Sequence, residues 1–267
     1  MGTFGYINSD GQIPITNLNL SPLQTGWVLD QALDWSAWIS YSDNYGRNDQ
    51  SPTFSGKSDN WSQIPIDFQG ICMGGIIHLS VRGIMRDSVT GAKDNVSWDG
   101  HSSILGQNPS SLNVKNRLGD LKMQVIAYKE SNPKWNQFGG DGLPIIAPDA
   151  GYGIMQLTPP GSTTQIWNWK DNVDAGKAIY YGGINTVQNH YNNLIATSPA
   201  LMNLVTRDLQ KAFYQYYNTG NKGFYWVPNS TNNGWIKNPN HNYTDYGDDA
   251  FNIESQITNQ SIYPPAW

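Results

Sequence analysis

The chain has 267 residues, enough for one large domain or two ordinary ones, and carries a formal net charge of −5. Only 14% of the residues are charged and no basic run or stripe occurs, which argues against a nucleic-acid partner. No stretch approaches the roughly 18 consecutive apolar residues of a membrane helix, so the sequence predicts no membrane insertion.

The first 66 residues are rich in Asn, Ser, Asp and Gly. The opening MGTFGYINSDGQIPI has neither a charged n-region nor an apolar h-region, so no secretory signal is predicted. The following segment, WVLDQALDWSAWISY, leaves two structures open. Leu29, Leu33 and Trp38 would share one face of a helix, whereas WISY is equally typical of a strand.

Four residues with side-chain oxygens follow this segment: Asp43, Asn44, Asn48 and Asp49. Such oxygens suit calcium, but the spacing is not that of an EF-hand loop, so a solvated loop is the favoured interpretation. The four histidines lack the spacing of a zinc site, and Cys72 is the only cysteine. The sequence therefore predicts no metal, no cofactor and a buried, apolar role for Cys72.

Residues 67–108 have the pattern of β structure. In IIHLSVRGI, Ile77, Leu79 and Val81 alternate with polar residues, the period of a half-buried strand. The stretch SVTGAKDN then supplies turn residues, and VSW begins another strand. We interpret residues 67–108 as part of a small β-sandwich that includes strands from the first region, so that residues 1–108 form a β-rich accessory module.

From residue 109 the apolar residues recur at helical spacing, after a Pro and two serines that are typical of a helix start. One continuous helix is predicted, with a face formed by Val114, Leu118, Leu121, Val125 and Tyr128. Further helices are predicted at 172–194 and 200–218, and the tail from 228 is loop-like except for one helical turn near 247–257. The predicted fold class is therefore α+β, with a mainly α domain over 109–267.

The first of these helices ends in VIAYKES, and Glu130 is unusual there. At about 100° per residue, Glu130 shares a face with Met123 and Ile126, so a helix buried on both sides is expected. Partial burial and the negative end of the helix dipole both disfavour the charged carboxylate and predict a raised pKa, which suits a general acid. The alternative is an exposed Glu that pairs with Lys129 or Lys134.

Three blocks follow Glu130-Ser131 in order: GYGIMQLTP at 151–159, NVDAGKAIYY at 172–181 and QYYNTG at 215–220. Together they resemble the motifs of the goose-type lysozyme and soluble lytic transglycosylase group of the lysozyme superfamily, over residues 125–226. Gln215-Tyr216 departs from the usual small pair of the last motif. The β region, through Gly74-Gly75 and ILGQNPS, resembles the segments that precede the Glu-bearing helix in some phage and secretion-associated proteins of this type.

The resemblance implies cleavage of the β-1,4 bond between N-acetylmuramic acid and N-acetylglucosamine in peptidoglycan, with Glu130 as the general acid. It implies substrate contacts from Ser131, Gly153, Met155, Gln156, Tyr217 and Asn218, and in the family the tyrosine that matches Tyr217 lies near the acid. The residues themselves agree, because glycines let the backbone approach a ligand and Gln156 presents an amide. A plain turn would use the same glycines, and Met155 would equally serve as core.

Two reactions remain open. An inverting hydrolase needs a second carboxylate about 6.5–9.5 Å from the acid, and Asp141 and Asp149 in the insert FGGDGLPIIAPDAG are the candidates. Such a loop is also typical of a solvated cleft wall. A lytic transglycosylase needs no second carboxylate, because the substrate's own groups close a 1,6-anhydro ring.

Without a predicted secretory signal, the expected route to the periplasm or cell wall is a secretion machine, a phage particle or lysis. Components of such a machine or particle and an immunity protein are then expected partners, besides peptidoglycan glycan strands. The rival interpretation is a non-catalytic wall-binding or structural module on a lysozyme-like scaffold. A scaffold has no need of an acid at Glu130, which favours the enzyme.

Overall fold

The computed structural model describes residues 2–21, 23–131, 134–220, 224–239 and 245–262. The chain contains both helices and strands and divides into two compact units. The first unit comprises 1–110, 136–153 and 158–171, and the second comprises 111–135, 154–157 and 172–267. The sequence places a single boundary between 108 and 109, whereas two later segments return to the first unit.

A seven-stranded sheet forms the framework of the first unit. Its strands are β1 (Thr3–Ile7), β3 (Trp27–Leu29), β4 (Leu33–Ser42), β5 (Asn48–Gln50), β6 (Phe54–Ser58), β8 (Gly75–Asp87) and β9 (Lys93–Gly106). The order is β1-β9-β8-β4-β5, with β3 paired to β8 and β6 to β4. Only β1 runs parallel to its described neighbour, β9. The strands β2 (Thr16–Leu18) and β7 (Ile64–Ile66) form a separate pair.

The long hairpin of β8 and β9 has the two faces that the sequence predicts. Ile77, Leu79 and Val81 are buried, and the polar residues between them lie on the other face. Of the predicted turn residues, 88–92 connect the two strands, whereas 93–95 and VSW lie within β9. The alternation of apolar and polar residues thus decides which face of this hairpin joins the core.

The ambiguous segment of the first region is a strand, so the helical alternative is wrong. In β4 the buried residues are Leu33, Trp35, Ala37, Ile39 and Tyr41. The strand pairs with β8 from Asp34, opposite Arg82, to Ser40, opposite Ile76. This long-range ladder satisfies the backbone groups of β4 and also buries its apolar side chains, which overrides the weak helical spacing.

The two acids of the candidate calcium loop bind protein donors. Asp43 accepts the backbone N–H of Tyr45 at 2.8 Å, and Asp49 accepts the hydroxyl of Thr163 at 2.7 Å and pairs with Arg47. Within the described ranges, no group of three or more His, Cys, Asp or Glu residues is arranged to hold a metal ion. The loop between β4 and β5 is therefore held by hydrogen bonds and an ion pair to protein groups.

The later segments complete the core of the first unit and include α3 (Thr163–Trp167). Asn108 accepts the backbone N–H groups of Gln137 and Phe138, each at 2.8 Å, so its amide holds this loop and does not cap the next helix. Trp167 is fully buried, and a Cβ on Gly74 would lie 2.2 Å from its indole ring. Close packing therefore accounts for Gly74.

The second unit is mainly helical. Its elements are α1 (Ser111–Leu118), α2 (Leu121–Ser131), α4 (Trp169–Thr197), α5 (Thr206–Thr219), α6 (Tyr246–Thr258) and the hairpin strands β10 (Trp226–Pro228) and β11 (Trp235–Lys237). Helix α4 confirms the helix predicted at 172–194. Helix α5 begins six residues later than predicted, because Leu201 and Leu204 are buried as part of an extended segment. The predicted single turn near 247–257 is a complete helix, α6.

The prediction of one continuous helix from residue 111 is wrong, because the chain breaks between α1 and α2. Gly119 has a φ of +82° and donates its N–H to Lys115 O at 3.0 Å, which ends α1. Asp120 then accepts the N–H of Met123 at 3.0 Å and begins α2. The helical spacing survives the break, so periodicity alone did not reveal it.

Cys72 is buried, with 8% of its surface exposed, as predicted. Burial raises the pKa of its thiol to about 12, and the charge of Asp171 adds to this effect. His241, Asn132 and Pro133 lie outside the described residues. Among the helices that the structure describes, none has the length and apolar character needed to cross a bilayer.

Candidate active site

Glu130 lies in the last turn of α2 and is half-buried. The preceding turns are buried on both faces, as the sequence predicts: Met123, Val125, Ile126 and Ala127 are 0% exposed. The apolar packing fixes the axis and rotation of the helix. The Glu130 carboxylate is thereby held at the border between the core of the second unit and its surface.

A buried tyrosine from the end of the chain holds this carboxylate. Tyr246, the first residue of α6, is 4% exposed and donates its hydroxyl to Glu130 Oε1 at 2.5 Å. Burial raises the pKa of Tyr246 well above its usual range, and the charge of Glu130 raises it further. Tyr246 therefore remains a protonated donor. The raised pKa that the sequence predicts for Glu130 stays a prediction.

Helix α6 is placed by close contact with α5. Gly247 has no room for a side chain, since a Cβ there would lie 2.4 Å from Lys211 O. Its N–H donates to the buried Gln215 Oε1 at 2.9 Å, and Lys211 pairs with Asp248 at 2.8 Å. These contacts fix the first turn of α6 and with it Tyr246.

Lys129 adds a further tie between α2 and α6. Its ammonium lies 2.9 Å from Asp249 and 4.8 Å from the centre of the Tyr246 ring. Lys129 is thus directed to α6. These contacts do not favour the alternative in which Lys129 pairs with Glu130 at the surface.

The second and third motifs meet at Met155. Its side chain is 0% exposed, its N–H donates to Asn172 Oδ1 at 2.9 Å, and its carbonyl accepts the hydroxyl of Tyr217 at 2.7 Å. Gly176 makes room for it, because a Cβ there would lie 2.7 Å from the Met155 side chain. Burial raises the pKa of Tyr217 well above its usual range, and the charge of Glu130 contributes. Tyr217 therefore lies close enough to Glu130 for the carboxylate charge to stabilise its protonated form.

The departure from the small pair in QYYNTG is accommodated within the second unit. Gln215 binds Gly247, as described above, and Tyr216 packs over Gly183, where a Cβ would lie 2.5 Å from the tyrosine ring. A larger pair therefore fits here because glycines face it on two neighbouring helices.

The remaining predicted substrate-binding residues have different surroundings. Ser131 donates its hydroxyl to Ala127 O at 2.8 Å, a bond within its own helix. Asn218 is exposed in the last turn of α5, and Gln156 is half-buried with a left-handed φ of +48°. Their contact with a substrate stays a prediction.

Gly153 belongs to the first unit, whereas Met155 belongs to the second. It has a φ of +69°, and a Cβ there would lie 2.4 Å from the Gln137 side chain. The missing side chain therefore admits the Gln137 amide, so packing accounts for this glycine. Its predicted approach to a ligand stays untested.

The two candidate second carboxylates also lie in the first unit. Asp141 accepts the N–H of Leu143 at 3.0 Å, and Asp149 accepts that of Gly151 at 3.4 Å. Both bonds span two residues and stabilise turns of the loop. A catalytic role for either acid stays a prediction.

Sequence reasoning missed three residues of this site: Tyr246, Asn172 and Gln215. Asn172 starts the NVDAG block, which drew attention to it, but nothing local indicated that its amide binds Met155. Tyr246 follows a loop-like tail and has no recognisable motif around it. A rule that selects aromatic residues near a helix start would also have selected many of the other tyrosines among the 15 of the chain.

Comparisons with protein families, with curated proteins and with solved structures gave no match for this chain. What this chain does is therefore inferred from the geometry of the site itself. One carboxylate at a helix end, oriented by a buried phenol and close to a second phenol, can give and take a proton at one fixed position.

Proposed function

We propose that this protein cleaves peptidoglycan glycan strands at the β-1,4 bond between N-acetylmuramic acid and N-acetylglucosamine, with Glu130 as the general acid. The observation that supports this most is the bond of 2.5 Å from Tyr246 to Glu130, in the unit where Tyr217 binds Met155. Tyr246 bonds the carboxylate directly, and Tyr217 lies near enough for the charge of Glu130 to raise its pKa. A general acid needs such fixed geometry before its pKa matters.

In the proposed reaction Glu130 protonates the oxygen that leaves from the glycosidic bond. In the transglycosylase route, the carboxylate then accepts the proton of the substrate's own hydroxyl as the 1,6-anhydro ring closes. In the hydrolase route a second carboxylate, Asp141 or Asp149, positions a water molecule. Tyr246 remains protonated in both routes and keeps the Glu130 carboxylate oriented.

The finer fold assignments belong to the same proposal. We infer a lysozyme-like arrangement for the second unit and an immunoglobulin-like character for the β module. The packing of the β2–β7 pair into the core of the large sheet supports a two-layer module, since Leu18, Ile64 and Ile66 share that core with Ile39 and Ile77. Action in the periplasm or cell wall, delivery by a secretion machine or phage particle, and an immunity partner are proposals that follow from the resemblance alone.

The test is release of soluble fragments from purified sacculi by the full chain and by Glu130→Gln. We expect Glu130→Gln to lower the rate by about a hundredfold or more, as for loss of a general acid. Glu254→Gln is a matched control, because Glu254 also accepts a tyrosine hydroxyl, that of Tyr214, at 2.8 Å. It should remain active.

Mass spectrometry of the fragments separates the two routes. Anhydromuramyl ends indicate a transglycosylase, and reducing ends indicate a hydrolase. Intact activity in Glu130→Gln would show that the acid is assigned wrongly. Binding of sacculi without release of any fragment would instead favour the non-catalytic module.

A further inference from the structure

The outer face of the seven-stranded sheet carries two rows of side chains that cross its central strands. Ser36 of β4 lies opposite Ser80 of β8, which lies opposite Asp99 of β9. In the adjacent outward row Trp38 lies opposite His78, and His78 opposite His101. Cross-strand neighbours point to the same face, so a row of two serines and Asp99 adjoins a row of three aromatic rings.

A depression lies on this face. It has a volume of about 350 Å³ and is lined by the residues of both rows together with Leu79 and Gly100. The volume lies in the range of small-molecule sites. Every lining residue belongs to the first unit.

The wall of the depression is preformed. The rings of Trp38 and His78 are stacked, with centres 3.7 Å apart and an angle of 9° between their planes. Ser40 Oγ lies 3.0 Å from His78 Nε2 and fixes the imidazole. Burial lowers the pKa of His78, and nearby His101 lowers it further, so the ring is neutral at neutral pH.

The charges around the depression neutralise one another. Arg82 donates to both oxygens of Asp99, each at 2.8 Å, and Lys57 lies 2.7 Å from Asp34. Ser80 also donates its hydroxyl to Asp99, so what remains for a ligand is the Ser80 oxygen as an acceptor, the Ser36 hydroxyl and the imidazole and indole rings. Such a surface offers little attraction to a phosphate, a nucleic acid or a cation, whereas a neutral polyol can both donate to and accept from it.

We propose that this depression binds a neutral oligosaccharide, with Trp38 as the apolar contact and Ser36 and Ser80 as hydrogen-bonding groups. The choice of polymer rests on the proposed function: the glycan backbone of the cell wall is the expected ligand. The first unit then holds the chain on its polymer through a site of its own, separate from Glu130.

The test follows each tryptophan separately. The full chain with Glu130→Gln is labelled with 5-fluorotryptophan, and its 11 tryptophans are observed by fluorine NMR while the β-1,4-linked tetramer of N-acetylglucosamine is added. The Trp38 signal is assigned by Trp38→Phe. We expect this signal to shift and to saturate with the oligosaccharide.

Two serine-to-phenylalanine substitutions, one in the depression and one outside it, sharpen the test. Ser80→Phe fills the depression and should weaken the binding reported by Trp38 by about tenfold or more, as for loss of a packed ring contact with its hydrogen bonds. Ser88→Phe, at an exposed serine between β8 and β9, is the matched control and should change nothing. Circular dichroism verifies that each variant is folded.

A Trp38 signal that stays in place while other tryptophans respond to the oligosaccharide would overturn the proposal. A Trp38 signal that shifts with zinc chloride but not with the oligosaccharide would also overturn it. Neither result depends on whether Glu130 is the acid, because glycan cleavage is measured separately on the chain with Glu130 intact. Conversely, an inactive protein whose Trp38 still responds would remove the proposed function and keep this site.

Discussion

Each unit contains a carboxylate that accepts a short hydrogen bond from a buried tyrosine, but the surroundings of the two bonds differ. In the first unit Asp43 accepts the hydroxyl of Tyr152 at 2.5 Å, and in the second Glu130 accepts that of Tyr246 at 2.5 Å. Asp43 is also bound by its own turn, through the N–H of Tyr45 at 2.8 Å. Both tyrosines come from far along the chain, 109 residues after Asp43 and 116 residues after Glu130, so the difference lies in the turn donors of Asp43.

The contrast shows that such a bond does not by itself indicate catalysis. Although burial opposes it, the Tyr152 hydroxyl and the N–H groups of Tyr45 and Arg47 lower the pKa of Asp43. A carboxylate that stays charged and is satisfied by its own turn stabilises that turn. Glu130 ends an apolar helix and is bound by the first residue of another helix, α6, which is the arrangement that the proposed general acid requires.

The largest expected difference concerns the two tyrosines. Tyr246→Phe removes the hydroxyl that orients Glu130, so the kcat of glycan cleavage should fall about tenfold to a hundredfold with KM little changed. Tyr152→Phe should leave kcat unchanged and lower the free energy of unfolding by about 1 kcal/mol. Fragment release and urea unfolding measure the two effects. Equal losses of activity in both variants would break the comparison.

The carboxylates themselves should respond in opposite ways. Asp43→Asn removes the charge that several donors share, so the free energy of unfolding should fall by about 1.5–3 kcal/mol. Glu130→Gln should be as stable as the parent chain or more stable, because a carboxylate half-buried for function is not optimised for stability. Urea unfolding of the two variants decides this. A loss in Glu130→Gln as large as that in Asp43→Asn would indicate a structural role for Glu130.

The pH dependence of stability provides a smaller effect. Although burial opposes it, hydrogen bonds from Lys211, Tyr225 and Lys237 lower the pKa of Asp248 to about 2. Because the folded pKa lies below the unfolded value of about 3.9, Asp248 stabilises the native state above about pH 4, and this contribution is lost as the pH falls towards 2.

Urea unfolding of the parent chain and of Asp248→Asn at about pH 6 and about pH 2.5 measures this contribution. The parent should be the more stable of the two at the higher pH, and the difference should shrink at the lower one. A difference that does not vary with pH would show that Asp248 contributes through packing.

The smallest effect is expected for the ion pair between α2 and α6. The side chains of Lys129 and Asp249 are 21% and 53% exposed, so solvent screens the pair. A double-mutant cycle with Lys129→Met and Asp249→Asn should give a coupling of about 0.2–1 kcal/mol that decreases at high salt. A coupling near zero, together with a loss of stability in Lys129→Met alone, would mean that Lys129 acts through its contact with the Tyr246 ring.

Much of each unit could be predicted from local patterns. The alternation through Ile77, Leu79 and Val81 gave the strand and its buried face, and the apolar turns before Glu130 gave a helix buried on both sides. The break at Gly119 was missed because α1 and α2 continue the same spacing across it. The segment of β4 stayed ambiguous because its partner strand lies far along the chain.

By itself, the sequence determined which residues face the core and that an acid ends a buried helix, because solvent exposure along a helix or strand repeats with a period visible in neighbouring residues. The tertiary structure decided that Tyr246 is the partner of that acid, that Asn172 and Tyr217 hold Met155, and that the outer face of the sheet contains a depression. Contacts between residues far apart in the chain leave no period, since any of many tyrosines satisfies the same local rules. The packing of α6 on α5 determines which tyrosine, Tyr246, reaches Glu130.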